Sequence, residues 1–162
     1  IKVIEISPIF RNHLKKKFGN KIELFENDAK NLKDIINNSS IDKILLINVI
    51  YFLNPLDLYL KEFKRILDEH GVVFIAGKFE AVKTFNDNVF QNKQIKDLLK
   101  VLKKFFKVSY EFVDLGDLNS RYYAIYLNPQ HLKRHFKCIC AFYIAEVLLS
   151  KTAMYGTKSI LP

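Results

Sequence analysis

Apolar residues fall along this chain in short blocks that alternate between two rhythms. Val3 to Ile6 is a continuous run of the kind a buried strand shows. Ser7 then offers an N-cap, with Pro8 at the first helical position, where a missing N–H costs nothing. Ile9, Phe10, Leu14 and Phe18 recur at helical spacing, and Gly19-Asn20 closes that helix. "KIELFEND" reads as a second strand ending at Asn27-Asp28, and "AKNLKDIINNSS" as a short helix running into a polar loop. "DKILLINVIYFL", from Asp42, holds the most continuous apolar run of the first half, as a central parallel strand would.

Asn54-Pro55 is expected to cap the next helix by the device used at Ser7-Pro8. Its apolar stripe is Leu56, Leu60, Phe63 and Leu67, with Tyr59 and Ile66; Gly71 ends it, and "GVVFIAG" is the fourth strand. After a loop, Ile95, Leu98, Leu99, Leu102, Phe105 and Phe106 mark an amphipathic helix. "KVSYEFVDL" and "RYYAIYLNP" follow as two strands joined by a polar turn around Gly116-Asp117. Strand-helix alternation implies a mostly parallel, Rossmann-like α/β sheet with right-handed crossovers and helices on both faces. The turn between the closing pair is too short for a parallel crossover, so the last strand must return antiparallel.

Composition changes this picture little. The chain has 162 residues, 49% apolar and 27% charged, the make-up of one globular domain. The formal charge of +9 comes mostly from Lys, 22 of the 26 basic residues, scattered rather than clustered on one face. Nucleic acid is therefore not expected as a partner. Cys138 and Cys140 cannot build a disulfide framework, no signal peptide is visible, and "CICAFYIAEVLLS" is too short to span a bilayer. A cytoplasmic protein is the default expectation.

From Lys2 to Pro129 these blocks resemble the class I S-adenosylmethionine-dependent methyltransferases, in the style of the small-molecule group called type 11. In that family the second strand ends in a carboxylate that takes both ribose hydroxyls of the cofactor; "VIEIS" puts Glu5 there, with Ile6 beside it. The third strand is followed by an acidic residue and often Ala, set against the adenine; "ENDAKNL" offers Asp28 and Ala29. The fourth strand leads into a loop beside the methionine part and the acceptor, where "INVIYFL" supplies Asn48, Val49 and Tyr51. "LKEFKRIL", a Gly turn and a fifth strand come next, and an antiparallel strand slotted into the sheet matches Arg121 to Asn128. The resemblance thus implies S-adenosyl-L-methionine as cofactor and a methyl transfer to a small-molecule acceptor. Cofactor contacts would come from Glu5, Ile6, Asp28, Ala29 and Asn48, and substrate contacts from Tyr51 and Lys78. No catalytic residue is indicated.

One family element has no counterpart: a first strand with a glycine-rich loop, due just before Lys2. The five glycines form no Gly-x-Gly, and the chain opens in mid-strand at Ile1. A truncated domain lacking its first strand is the expectation. A non-catalytic, methyltransferase-like binding or scaffold module is the alternative, and a dinucleotide-dependent oxidoreductase fragment a third, since Rossmann proteins also hold ribose with a strand-end carboxylate. An antiparallel strand inserted among the last parallel ones would set the oxidoreductase aside.

Each candidate also has a plainer reading. Glu5 could be a paired surface charge, and Asp28 the N-cap of the helix after it. Asn48 could only satisfy backbone at a strand end; Tyr51 and Phe52 could be core or lid aromatics. The domain is taken as 1–129, and 130–162 as a basic, apolar extension, helical and then disordered, with five basic residues against Glu146. That extension could meet a membrane surface or a protein. On such a helix His131, His135 and Cys138 share a face, but a structural zinc needs a fourth ligand, so no metal is expected.

Overall fold

Ser7 starts the first helix as its chemistry demands. In the computed structural model, which describes residues 1–116 and 120–129 and the backbone of 143–144, its hydroxyl accepts the N–H of Phe10 at 3.5 Å. Helix α1 (Pro8–Phe18) ends as Gly19 swings to φ 52° and donates its N–H to the Lys15 carbonyl. On either side of α1 lie β1 (Lys2–Ile4) and β2 (Glu23–Phe25), which pair in parallel.

A five-stranded sheet carries the rest. Strand β3 (Ile41–Ile47) pairs in parallel with β4 (Leu67–Gly77), and α2 (Leu56–Ile66) connects them. After the short α3 (Phe79–Val82) and α4 (Ile95–Leu102) come β5 (Lys107–Val113) and β6 (Tyr122–Asn128). The spatial order is β5-β6-β4-β3-β7, where β7 is Tyr143–Ile144. Strand β6 lies between β4 and β5 and runs antiparallel to both. The short turn before it therefore does what its length requires. Leu60, Phe63 and Ile66 of α2, Leu102 of α4, Phe106 after it, and Ile125 of β6 are buried in one core.

Three expectations about local structure need correction. Residues 29–40 form turns, not a helix. Asp28 folds back on the Lys30 N–H, Leu32 donates its N–H to Glu62 Oε1 at 2.9 Å, and Arg65 reaches the Ile36 carbonyl at 3.0 Å. Side chains of α2 thus take the backbone groups that a helix would have paired. Asn54 does not cap α2; Pro55 is the N-cap residue with no side-chain bond, and the Asn54-Pro55 peptide is cis. Nor does Gly71 end that helix. The chain turns from helix to strand at Leu67, and Gly71 sits inside β4, where a Cβ would come 2.7 Å from the Leu67 side chain.

Of the extension, Tyr143 and Ile144 are extended and pair in parallel with Leu45 and Leu46, where the pattern suggested helix. The proposed His131, His135 and Cys138 face lies outside the described residues. Among the described residues, no helix is long and apolar enough to cross a membrane, and no cluster of His, Cys, Asp or Glu could hold a metal.

Candidate nucleoside-binding site

Each candidate follows the carboxyl end of a parallel strand, where open α/β sheets bind ligands. Glu5 continues β1: its N–H bonds the Phe25 carbonyl at 3.1 Å. The residue is 8% exposed, and its Oε1 accepts the Ser7 N–H at 2.7 Å. Among the described residues the second oxygen takes no hydrogen bond, so one acceptor remains for a ligand. Ile6 turns its side chain to solvent. Arg11 of α1 clamps this turn, donating Nη1 to the carbonyls of Glu5 at 3.1 Å and Ile6 at 2.6 Å while Nη2 pairs with Glu26 at 2.6 Å.

Asp28, beyond β2, caps no helix. Its Oδ1 accepts the Lys30 N–H at 3.2 Å and its Oδ2 meets the Lys30 ammonium at 3.0 Å. Burial alone would raise its pKa, but hydrogen bonds from Lys30 and Tyr59 and the Lys30 charge prevail and hold the carboxyl below its ordinary range. Tyr59 is pushed up, by burial and then by Asp28, so its hydroxyl stays protonated and donates. Ala29 beside it is buried.

Asn48 ends β3 in the left-handed region, at φ 53°, which Asn tolerates better than most residues. Its N–H bonds the Ala76 carbonyl at 2.8 Å and its Oδ1 accepts the Lys78 N–H at 3.2 Å, stapling the ends of β3 and β4 together. The structure thus joins Asn48 and Lys78 directly, and the backbone role of Asn48 is real.

Tyr51 is fully buried, edge-on to Phe79 with ring centroids 5.1 Å apart. A Cβ at Gly77 would sit 2.8 Å from its hydroxyl oxygen, so glycine is what lets the ring reach the strand end. Burial raises the Tyr51 pKa despite the nearby Lys78 N–H. Phe52 is half exposed and stacks on Phe90 at 4.9 Å, and the Phe90 segment is tied down by Gln91 N–H to the Tyr51 carbonyl at 3.0 Å. Of the residues after β4, Phe79 belongs to the core and Glu80 pairs with Lys83. A separate groove of about 530 Å³ between α1 and β2, lined by Arg11, Lys15 and Glu26 among others, includes none of the candidates.

Sequence reasoning missed Arg11, Tyr59, Glu62 and Arg65. A signal existed for the arginines. In a chain with 22 Lys, Arg appears four times, and Arg11 and Arg65 each bond several groups at once, as only a planar fork does.

Comparisons with known proteins agree with this topology. Residues 1–75 match the type 11 family model described as "Methyltransferase domain". A methyltransferase dependent on S-adenosylmethionine (SAM) from Archaeoglobus fulgidus shares 13% identity at a TM-score of 0.63, covering 78% of this chain and 74% of that one. The PH0226 protein of Pyrococcus horikoshii OT3 gives 18% and 0.58, with 80% and 71% covered. The N-methyltransferase NodS of Bradyrhizobium japonicum WM9 gives 12% and 0.59, with 80% and 73% covered. No curated protein matches the sequence.

Over residues 1–75 the chain is similar to the type 11 methyltransferase family, and it shares the fold of these solved structures. SAM is the cofactor on which the Archaeoglobus fulgidus neighbour depends. The donor set suits its nucleoside half: a part-free carboxylate oxygen on Glu5 for a ribose hydroxyl, and an anionic Asp28 for a nearby N–H donor. For the carboxypropyl end the sequence offers no Gly-x-Gly.

Proposed function

We propose that this chain transfers the methyl group of SAM to a small-molecule acceptor, in the cytoplasm, with Glu5, Ile6, Asp28, Ala29 and Asn48 around the nucleoside and Tyr51 and Lys78 on the acceptor side. One observation carries the ribose assignment: the Glu5 carboxylate is held at the end of β1 by the Ser7 N–H, with its other oxygen uncommitted among the described residues. When bound, the cofactor supplies a sulfonium-activated methyl, so the protein's task is to position two reactants and exclude water. Glu5 contributes a pre-oriented acceptor. Asp28 stays ionised beside Lys30 and Tyr59, and the Asn48-Lys78 bond keeps the two central strand ends at constant spacing. Tyr51, kept protonated by burial, is unsuited to act as a general base, and its ring instead shapes the wall beneath Phe52 and Phe90. No residue is assigned as catalyst.

A second reading, a binding or scaffold module without catalysis, is favoured by the same hydrogen bonds, since Glu5 and Asn48 both serve the protein's own backbone. Calorimetry with S-adenosylhomocysteine separates the two. Binding that weakens about ten-fold, roughly 1.4 kcal/mol, in Glu5→Ala supports the ribose role. Glu5→Gln retains an oxygen for the Ser7 N–H and controls for the turn itself. Binding that is unchanged in Glu5→Ala refutes the assignment, and a folded chain that binds no nucleoside selects the scaffold.

A further inference from the structure

Strand β5 pairs with β6 on one side, and among the described residues no strand meets its other side. It is a regular edge. The ladder to β6 runs unbroken from Lys107 opposite Asn128 to Val113 opposite Tyr122, with no bulge to twist the strand away. "KVSYEFV" contains neither Gly nor Pro, and five of its seven residues are exposed. By strand alternation Tyr110 and Phe112 share a face, at 50% and 47% exposure, and Leu115 just beyond them is 69% exposed. An edge of this length is usually defended by Pro, a bulge or clustered charge, because its free N–H and C=O groups invite another strand. Strand β5 has only Lys107 and Glu111, and their signs are opposite.

We propose that β5 is a homotypic docking edge, and that its occupant is the β5 strand of a second copy of this chain, antiparallel and related by a two-fold axis at Ser109. The sheet of each copy then continues into the other.

The charges select both the partner and the register. With the axis at Ser109, Lys107 stands directly opposite Glu111 of the second copy, and the symmetry makes that pair twice. Opposite charges at facing positions of an antiparallel pair are favourable, and like charges are costly. Moving the axis to Glu111 would set two carboxylates face to face. Both side chains are available for the pairing: among the described residues neither is in an ion pair, and Glu111 accepts only the Tyr126 hydroxyl, at 3.4 Å. On the other face Val108 meets Tyr110 of the second copy, a β-branched residue against a ring. A one-residue slip would turn the aromatic face of one copy onto the polar face of the other. A strand from an unrelated protein would need its own Lys and Glu at this spacing, whereas a second copy carries them already. A strand-to-strand contact of this length lies at the small end of specific interfaces, so the dimer is reversible in the micromolar range.

The test uses the full chain and needs no cofactor, so its outcome is independent of the proposed methyl transfer. Sedimentation velocity across the micromolar range should show the chain passing from one chain mass to two. Glu111→Lys puts a cation opposite Lys107 in both pairs and should weaken association about ten-fold or more, as should Lys107→Glu. Combining the two reversals restores both pairs with signs exchanged and should return association to within about three-fold of the wild type. Amide exchange over residues 107–113 should slow as the concentration of wild-type protein rises, while residues 41–47 stay unchanged. Both positions are exposed, so each variant should keep the fold, which circular dichroism checks. A chain that stays monomeric throughout this range overturns the proposal. So does a dimer that ignores the single reversals, or one that the double reversal does not recover.

Discussion

On one side of the molecule, β6 exchanges backbone bonds with β4 over five residue pairs and with β5 over seven; on the other, β1 and β2 share three. The long ladders support themselves and bury Ile125 and Leu127 at their centre. The short pair is held instead by side chains that reach for backbone: Arg11 over the turn after β1, and Glu62 with Arg65 under the loop after β2. Of the candidate nucleoside residues, Glu5, Ile6, Asp28 and Ala29 sit on the second kind of structure, and Asn48 ends β3. Ligand-binding elements are commonly drawn from the less stable part of a fold, and here the physical cause is visible in named bonds.

The contrast can be broken at either end. Ile125→Ala, in the middle of the long ladders, should lower unfolding free energy by about 2–5 kcal/mol in urea titrations with the whole chain melting as one. Arg65→Ala should cost less globally, about 1.5–3 kcal/mol, because it strips bonds from Glu62, the Ile36 carbonyl and Asn38. Its signature is local: amide exchange should rise over residues 29–40 while the β5-β6 ladder keeps its protection. A global loss larger than that of Ile125→Ala would reverse the ranking of the two sides. Ser7→Ala, removing the cap of α1, should cost about 1 kcal/mol by thermal melting, with helicity lost near Pro8.

The smallest effect concerns acid. Hydrogen bonding from Arg65 holds the Glu62 carboxyl below its ordinary value of 4.5, ahead of burial, which opposes it. A pKa depressed in the folded state gives stability that is fully present above the unfolded value and is lost as pH falls through the folded one. Melts from about pH 6 to pH 3 should therefore show a steeper loss in the wild type than in Glu62→Gln. Parallel slopes would mean that this clamp carries no proton-linked stability.

How much of this was legible beforehand follows from the range of each interaction. Helix α1 was readable because Ser7, Pro8 and Gly19 act within one turn of their own positions. The antiparallel return of β6 was readable because a short connection excludes a crossover. Residues 29–40 were misjudged because their hydrogen bonds go to Glu62 and Arg65, some thirty positions away in sequence. At the site, the strand-end placement of Glu5 and Asn48 follows from the pattern of strands alone. That both spend part of their side chains on neighbouring amides depends on loop geometry, which no local pattern encodes.

The wedging of β6 between β4 and β5 has a consequence for how the chain is made. The residues it joins, such as Val73 and Leu127, lie far apart in sequence, so this closure must follow synthesis of nearly the whole domain. Until then a nascent polypeptide emerging from the ribosome carries β4 with one edge unsatisfied, a template for pairing with neighbours. Late, long-range closure also slows folding. Chaperone demand during translation should accordingly concentrate in the interval after Gly77 has emerged and before Asn128 has.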